Sequence, residues 1–338
     1  MSRPWLSILI PVYNTRHYIR ECLGSIQLQW ESDIEVLILD DCSTDDSLSL
    51  LRKEKQQNFP QLKIVNHYEN KGLSAARNTL LEHSQGEYIW FLDSDDYLLP
   101  EAIPSLKRVI QEYRCDCVLF DYRVVEDSVE GEVKTPQSNR YISTFPSATK
   151  TKMTDSEALL VGMLKKRRFQ AWTRVVKKCV WEKGVRFPKG RYFEDVFTTP
   201  RLAFHVKSYV YRAQAWVAYR DRAGSIVRTP SLGKIEDLLA GPVDMLSEWE
   251  LNGRHLKSAS RFDYYAFCGT NFINAMKLLK ATNQNSLAER ARFRKKLFDN
   301  FGFGPWHLCG LYIRNFRLLS LIRLLRHLYS RTGYQRDA

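Results

Sequence analysis

Tyr88-Ile89-Trp90-Phe91-Leu92-Asp93-Ser94-Asp95-Asp96 sets five apolar residues directly before three acids and a serine. A short, unbroken apolar run reads as a strand buried on both faces, and such strands belong to parallel sheets covered by helices. Four more runs flank it in the first 122 residues: Leu6 to Val12, Val36 to Asp40, Leu62 to His67 and Cys117 to Tyr122. Between them His17 to Gln29, Asp45 to Gln57, Leu73 to Ser84 and Glu101 to Tyr113 carry helical periodicity. Thr44 and Pro100 act as start signals, and Gly86 follows the third helix as a stop. The alternation predicts an α/β open parallel sheet with helices on both faces. Ligands of such sheets bind beyond the carboxyl ends of the strands, where Tyr13-Asn14, Asp40-Asp41 and Asp93-Ser94-Asp95-Asp96 fall.

Glu126 to Lys150 is a polar connection bearing Pro and Ser, read as a hairpin or loop. Thr154-Asp155-Ser156-Glu157 has the form of a capping box opening a helix to about Lys165. Val175 to Val180 reads as a strand, Phe193 to Phe204 as a helix with Glu194-Asp195 in its first turn, and Tyr209 to Tyr219 as another strand. From Lys234 the pattern is helical to the end, broken at Gly302-Phe303-Gly304-Pro305. The expected division is 1–125, 126–228 and a mainly helical 229–338.

With 44% hydrophobic and 26% charged residues among 338, the chain has material for a core, which excludes disorder as its main state. No apolar run approaches the ~18 residues of a spanning helix. The start, Met1-Ser2-Arg3-Pro4-Trp5, leads to a short apolar run without a small-residue cleavage site, so no secretory signal is read and the expected location is cytoplasmic. The seven cysteines show no Cys-x-x-Cys spacing and read as buried thiols rather than metal ligands.

The net charge of +13 is uneven: Glu289 to Ala338 holds eleven Lys or Arg against three acids. There Leu318, Leu321, Ile322, Leu325, Leu328 and Tyr329 share one helical side, with Arg323, Arg326 and His327 on the other. Two readings of this helix stay open, a dock on an anionic membrane surface and a terminal helix packed on the body with a solvated basic face. Nucleic acid is not an expected partner, because no recognition motif accompanies the charge.

Asp93 and Asp95 are two apart at a strand end, so both side chains leave the same face and can converge on one hard cation; taken apart from the apolar run before them, an Asp-x-Asp turn reads as a solvated or capping arrangement. A carboxylate at Asp40 or Asp41 can accept from a nucleobase or ribose, or can close an Asx turn before Ser43. Arg77-Asn78, on a helix after Asn70-Lys71-Gly72, offers a permanent positive charge.

Ser7-Ile8-Leu9-Ile10-Pro11-Val12-Tyr13-Asn14, Leu39-Asp40-Asp41-Cys42-Ser43-Thr44-Asp45, Gly72-Leu73-Ser74-Ala75-Ala76-Arg77-Asn78 and Phe91 to Asp96, in this order and spacing, resemble a family 2 glycosyltransferase of GT-A fold. The likeness is most specific over residues 5 to 122. It continues to about 228 through Ala171-Trp172, Phe187-Pro188, Phe193-Glu194-Asp195 and Tyr219-Arg220-Asp221-Arg222-Ala223-Gly224-Ser225-Ile226.

The resemblance implies an inverting transfer of a hexose or N-acetylhexosamine from a UDP-sugar to a saccharide or lipid-linked saccharide acceptor. The setting it implies is assembly of bacterial surface polysaccharide or lipooligosaccharide; on the docking reading of the basic C-terminal helix, that helix brings the enzyme to the cytoplasmic face of the inner membrane. It places Pro11, Val12, Tyr13 and Asn14 at the base, Asp41 on the uracil edge, and Arg77, Asn78 and Ser94 near the nucleotide. Asp93 and Asp95 then manage a divalent cation, manganese or magnesium, with Asp95 the direct ligand. Asp195 takes the position of the general base and Glu194 orients the acceptor or shares the proton. By itself, apart from the resemblance, Asp195 reads first as a carboxylate complementing a helix dipole and only second as a base.

Arg220 and Arg222 are read as a clamp on the diphosphate or as solvated arginines, and Trp172 as a sugar platform or a core residue. Cys42 stands where the family pattern has glycine. The competing reading is a catalytically silent GT-A module that binds sugar nucleotide, and a dTDP- or GDP-linked donor is a second variant. Without Gln-x-x-Arg-Trp the processive branch fits poorly, and without Gly-x-Gly-x-x-Gly after the first strand a dehydrogenase is excluded.

Overall fold

The computed structural model describes residues 3–126, 139–146, 151–222, 230–251 and 253–329. The chain divides into two compact units, 1–190 with 198–224 and 191–197 with 225–338.

In the first unit β1 (Leu6–Val12), β2 (Ile34–Asp40), β3 (Lys63–Asn66) and β4 (Tyr88–Phe91) pair in parallel in the order β3-β2-β1-β4. Every position of β1, β2 and β4 is buried, as the apolar runs require, while β3 at the edge is half open. The crossovers are α1 (Ile19–Gln27), α2 (Ser47–Gln57), α3 (Leu73–His83) and, after β4, α4 (Ala102–Tyr113). α1 buries Ile19, Cys22, Leu23 and Ile26, one stripe at helical spacing.

Beyond β4 the sheet is mixed: the strands expected in the first 122 residues run parallel to one another, and three other strands join antiparallel. β5 (Tyr97–Leu98), β6 (Cys117–Glu126), β7 (Arg140–Ile142), β8 (Arg174–Lys177) and β9 (Tyr209–Asp221) complete it. β8 inserts antiparallel between β4 and β6, β9 runs parallel to β6, and β5 and β7 pair antiparallel to β9 and β6. Apolar runs report that a strand is buried, but not its neighbour or direction. Most of the connection expected over 126–150 lies outside the described residues; β7 is in its described part.

Two local expectations also change. The helix α5 (Ser156–Lys166) is capped by Asp155 rather than Thr154: the Asp155 carboxylate accepts from the backbone N–H of Glu157 (2.9 Å) and Ala158 (3.0 Å). The strand expected to Val180 ends at Lys177, because Lys178–Trp181 turns into α6 and buries Val180 and Trp181 on a helix instead. Trp172 is buried, its ring stacked on Tyr219 at 5.5 Å and edge-on to Tyr122, so it is a core residue.

α7 (Glu194–His205) has its first turn in the second unit and the rest in the first. The second unit otherwise consists of α8 (Leu232–Leu251), α9 (Ser258–Lys280), α10 (Leu287–Phe301), α11 (Pro305–Arg314) and α12 (Leu318–Leu328). Ser286 caps α10 through the N–H of Glu289, and Gly302 at φ 68° closes it. Pro305 then opens α11 at its first position, which makes Gly302 to Pro305 the expected break. Among the described residues no helix is long and apolar enough to cross a membrane.

A buried polar clamp ties the parallel strands to the turn before β4. Glu35 on β2 accepts from Ser7 Oγ, Lys63 Nζ (2.7 Å) and the N–H of Gln85 (2.8 Å), while Gly86 N–H donates to Ser7 Oγ (2.8 Å). Burial raises the Glu35 pKa, but these bonds outweigh it and hold the group below the usual range. A Cβ on Gly86 would stand 2.5 Å from Ser7 N and 2.7 Å from Leu6 C, atoms of the β1 backbone that cannot swing aside. Gly86→Ala is therefore expected to destabilise by about 1–3 kcal/mol, read as a lower urea midpoint at unchanged slope; a wild-type midpoint would refute the close approach.

Candidate active site

The strand end at β4 concentrates negative charge in a partly desolvated place. Asp93 accepts from Arg77 Nη2 at 2.9 Å, and Asp95 pairs with Arg222 Nε at 2.7 Å. Arg77 is buried, with its guanidinium over the rings of Phe187 (5.3 Å) and Phe91 (5.9 Å). Asp96 is buried too: one oxygen accepts from Arg220 N–H at 2.8 Å, and Oδ2 has no partner among the described residues. Arg220 donates from Nη2 to Glu21 (2.6 Å) and from Nε to the Asp95 carbonyl (3.0 Å), with its guanidinium 5.0 Å from the Tyr18 ring centroid.

Burial first, and then the charge of Asp93, pushes the Asp95 pKa up, with Arg222 pulling against both. Burial, Asp95 and Asp93 push Asp96 well above the carboxylate range. Two hard oxygen donors whose mutual repulsion is only partly offset by arginines are a set that a divalent cation suits. Among the described residues no three metal-ligating side chains form a closed cage. The fit is to a cation that takes part of its shell from a bound phosphate and water.

Around this end, the other residues read as nucleotide-facing divide into two kinds. Pro11 and Val12 are buried on β1, Pro11 beyond the point where pairing with β4 ends at Leu9, and Tyr13 is exposed after them. Asn14, at φ 52°, takes the N–H groups of Thr44 (2.8 Å) and Asp45 (3.3 Å) on Oδ1 and donates to Thr44 Oγ1 (3.0 Å), joining the loops after β1 and β2. Asp41 is buried and accepts from His67 Nδ1 (2.6 Å), Lys71 N–H (3.0 Å) and Gly72 N–H (2.7 Å), fixing the approach to α3. Asn78 exchanges both amide bonds with the Phe187 backbone, at 2.8 and 2.9 Å, and Ser94 Oγ shares a hydrogen bond with Thr15 Oγ1. Cys42 sits at φ 58°, a left-handed position that explains the glycine of the family pattern.

In the second unit, Glu194 and Asp195 are partly exposed in the first turn of α7, just after Phe193 at φ 56°. Buried Asp237 on α8 accepts from Arg191 Nη1 (2.7 Å) and from the N–H of Tyr192 (2.8 Å). Gly241, where a Cβ would stand 2.9 Å from Val196 Cγ1, lets α8 close on the same segment. Glu21, Tyr18, His67 and Asp237 carry no spacing signal in the sequence; each is found only by contact, as is the packing of Phe187, from the Phe187-Pro188 motif, under Arg77. The Ala223 to Ile226 stretch lies outside the described residues.

Residues 7–165 match the model of the family described as Glycosyl transferase family 2. EpsH of Bacillus subtilis is 31% identical over 269 residues, 78% of this chain and 73% of its own length. The chain belongs to glycosyltransferase family 2. Asp41, Arg77, Asp93 and Asp95 lie inside the span matched by the family 2 model, Asp195 and Arg222 outside it. Glycosyltransferase GlyA of Streptococcus pneumoniae is 30% identical over 250 residues, 72% of this chain; the match spans only 34% of GlyA. The crystal structure of Staphylococcus aureus TarS 1-349 in complex with UDP-GlcNAc has a TM-score of 0.66 at 21% identity, covering 98% of this chain and 93% of that one. That likeness carries the GT-A fold and its helical C-terminal region.

Arg222→Ala removes a charge that lowers the Asp95 pKa, so Asp95 in the metal-free protein is expected to titrate at higher pH than in wild type, read by carboxyl carbon NMR; an unmoved titration would show the ion pair does not persist in solution. Asp237→Ala is expected to speed amide hydrogen exchange over residues 191–196 by roughly tenfold or more, with exchange in β1 and β2 unchanged.

Proposed function

We propose that the chain is a metal-dependent, inverting transferase moving a hexose or N-acetylhexosamine from a UDP-sugar to a saccharide acceptor, during assembly of a bacterial surface polysaccharide or lipooligosaccharide. The observation that carries this reading is the pair of carboxylates closing β4, Asp93 and Asp95, each held against one arginine. The relatives support the donor and the setting. TarS is named a poly(ribitol-phosphate) beta-N-acetylglucosaminyltransferase and was crystallised with UDP-GlcNAc, and chondroitin synthase of Escherichia coli is 41% identical over 116 residues.

In this reading the loop after β1 and Tyr13 receive the base, while Asp41 and Asn14 hold the loops that frame it. Asp93 and Asp95 would hold manganese or magnesium, which supplies positive charge to the departing diphosphate. Arg77 keeps Asp93 in place from its aromatic slot, and Arg222, paired with Asp95, is the positive charge nearest the diphosphate in this reading. Asp195 takes the proton of the acceptor hydroxyl as that oxygen attacks the anomeric carbon opposite the leaving group. The bond to the diphosphate breaks with its electron pair, and UDP leaves. Glu194 orients the acceptor. A lipid-linked acceptor at the cytoplasmic face of a membrane suits a chain whose positive charge gathers in its last fifty residues.

The test is release of nucleoside diphosphate from a panel of UDP-, dTDP- and GDP-sugars with manganese present, for wild type, Asp95→Ala and Asp195→Asn. One UDP-sugar is expected to turn over slowly without acceptor, and Asp95→Ala to abolish that release. Asp195→Asn is expected to bind donor normally but to lose on the order of 10²–10⁴-fold in transfer. Donor binding without transfer to any saccharide acceptor would favour the silent module, and turnover of a GDP- or dTDP-sugar alone would move the donor class.

A further inference from the structure

The apolar stripe expected to mark α12 is divided by the fold. Leu321, Leu324 and Leu328 are buried, and α12 presses on α9 where Gly269 leaves room: a Cβ there would stand 3.0 Å from Leu324 Cδ2 and 2.8 Å from the Tyr312 hydroxyl. Leu318, Ile322 and Tyr329, expected on that same face, are exposed instead. The exposure continues backward without a break: all eight residues from Ile313 to Ser320, the elbow joining α11 to α12, are exposed.

This elbow is apolar and basic at once. Phe316 is 92% exposed, Leu319 82% and, at the start of α11, Trp306 89%. Trp306 and Ile313 are seven residues apart, hence on one side of α11, opposite the buried Leu308 and Tyr312. Arg314, Arg317, Arg323 and Arg326 are exposed among them, and no acid of the described residues pairs with any of the four. From Asp299 to Asp337 the sequence has no acid between. Seven large side chains of apolar body, Tyr329 among them, left in water need a cover.

We propose that the α11–α12 elbow is the surface by which the protein docks on an anionic bilayer, with Trp306, Phe316 and Leu319 entering the interface and the four arginines meeting lipid phosphates. Charge complementarity selects this occupant. A two-fold contact between copies would set the same arginines against each other. A neutral apolar partner would leave them unanswered, whereas arginines on long stems around an aromatic wedge suit a layer with phosphate above and hydrocarbon below. The inference deepens the reading that the acceptor is presented at a membrane. Its readout is lipid binding without sugar transfer, so each can fail while the other stands.

The test is flotation of the full chain with vesicles of phosphatidylcholine alone and of phosphatidylcholine mixed with phosphatidylglycerol, over a salt series. Wild type is expected to float with the anionic vesicles, less as salt rises, and to remain behind with the neutral ones. The triple variant Trp306→Ser, Phe316→Asn, Leu319→Gln is expected to lose roughly tenfold or more in binding with an unchanged melting temperature, since all three side chains are exposed. If the triple variant folds poorly, Phe316→Asn alone serves, because asparagine suits the φ of 55° there. Absence of flotation, equal binding to neutral vesicles, or undiminished binding by a folded variant would overturn the proposal. So would a wild-type dimer that dissociates in the triple variant, which would assign the elbow to a copy of the same chain.

Discussion

Three carboxylates within four residues, at the end of a strand with no exposed position, are the constraint around which the first unit is arranged. Charges in that setting repel strongly and are poorly solvated, so each must be answered locally. Arg77 comes from α3 and rests on Phe91 and Phe187; Arg220 and Arg222 come from the far end of β9. The long parallel pairing of β6 with β9, with its irregular register at Asp121, is what delivers those two arginines to an acidic strand end more than a hundred residues earlier in the chain. The balance leaves Asp95 with a raised pKa and Asp96 with one oxygen unpartnered among the described residues.

Much of what surrounds the strand ends holds other groups in place. Asp41 spends its carboxylate on His67 and on two backbone N–H groups ahead of α3. Asn14 spends its amide on the loop after β2, and Asn78 holds Phe187 where Arg77 needs an aromatic face. At such positions a neighbouring amide or charge leaves few other groups that fit. A carboxylate accepting three hydrogen bonds, or an amide giving and receiving at both ends, cannot be exchanged for its near relative without leaving a buried donor or acceptor unsatisfied.

The second unit shows the same economy on a helical scaffold. Asp237 and Gly241, one turn apart on α8, secure the segment that starts α7, one by hydrogen bonds and the other by leaving space. α9 packs α11 and α12 through Gly269, and the rotation that buries Leu321, Leu324 and Leu328 is what turns Leu318, Leu319 and Ile322 outward.

The sequence by itself determined the parallel half of the sheet, its four helices, the break at Gly302 to Pro305 and the charged strand end at Asp93 to Asp96. Each of these depends on local periodicity, on a turn residue, or on motifs close together in the chain. Only the tertiary structure decided that β8 lies antiparallel between β4 and β6, that Trp172 is core, that Asp155 is the cap, and that Asp41 and Asn78 are held by His67 and Phe187. It also decided which side of α12 is covered. Burial leaves a periodic trace along a chain, whereas partner, direction and rotation are set by surfaces that meet only after the chain has folded.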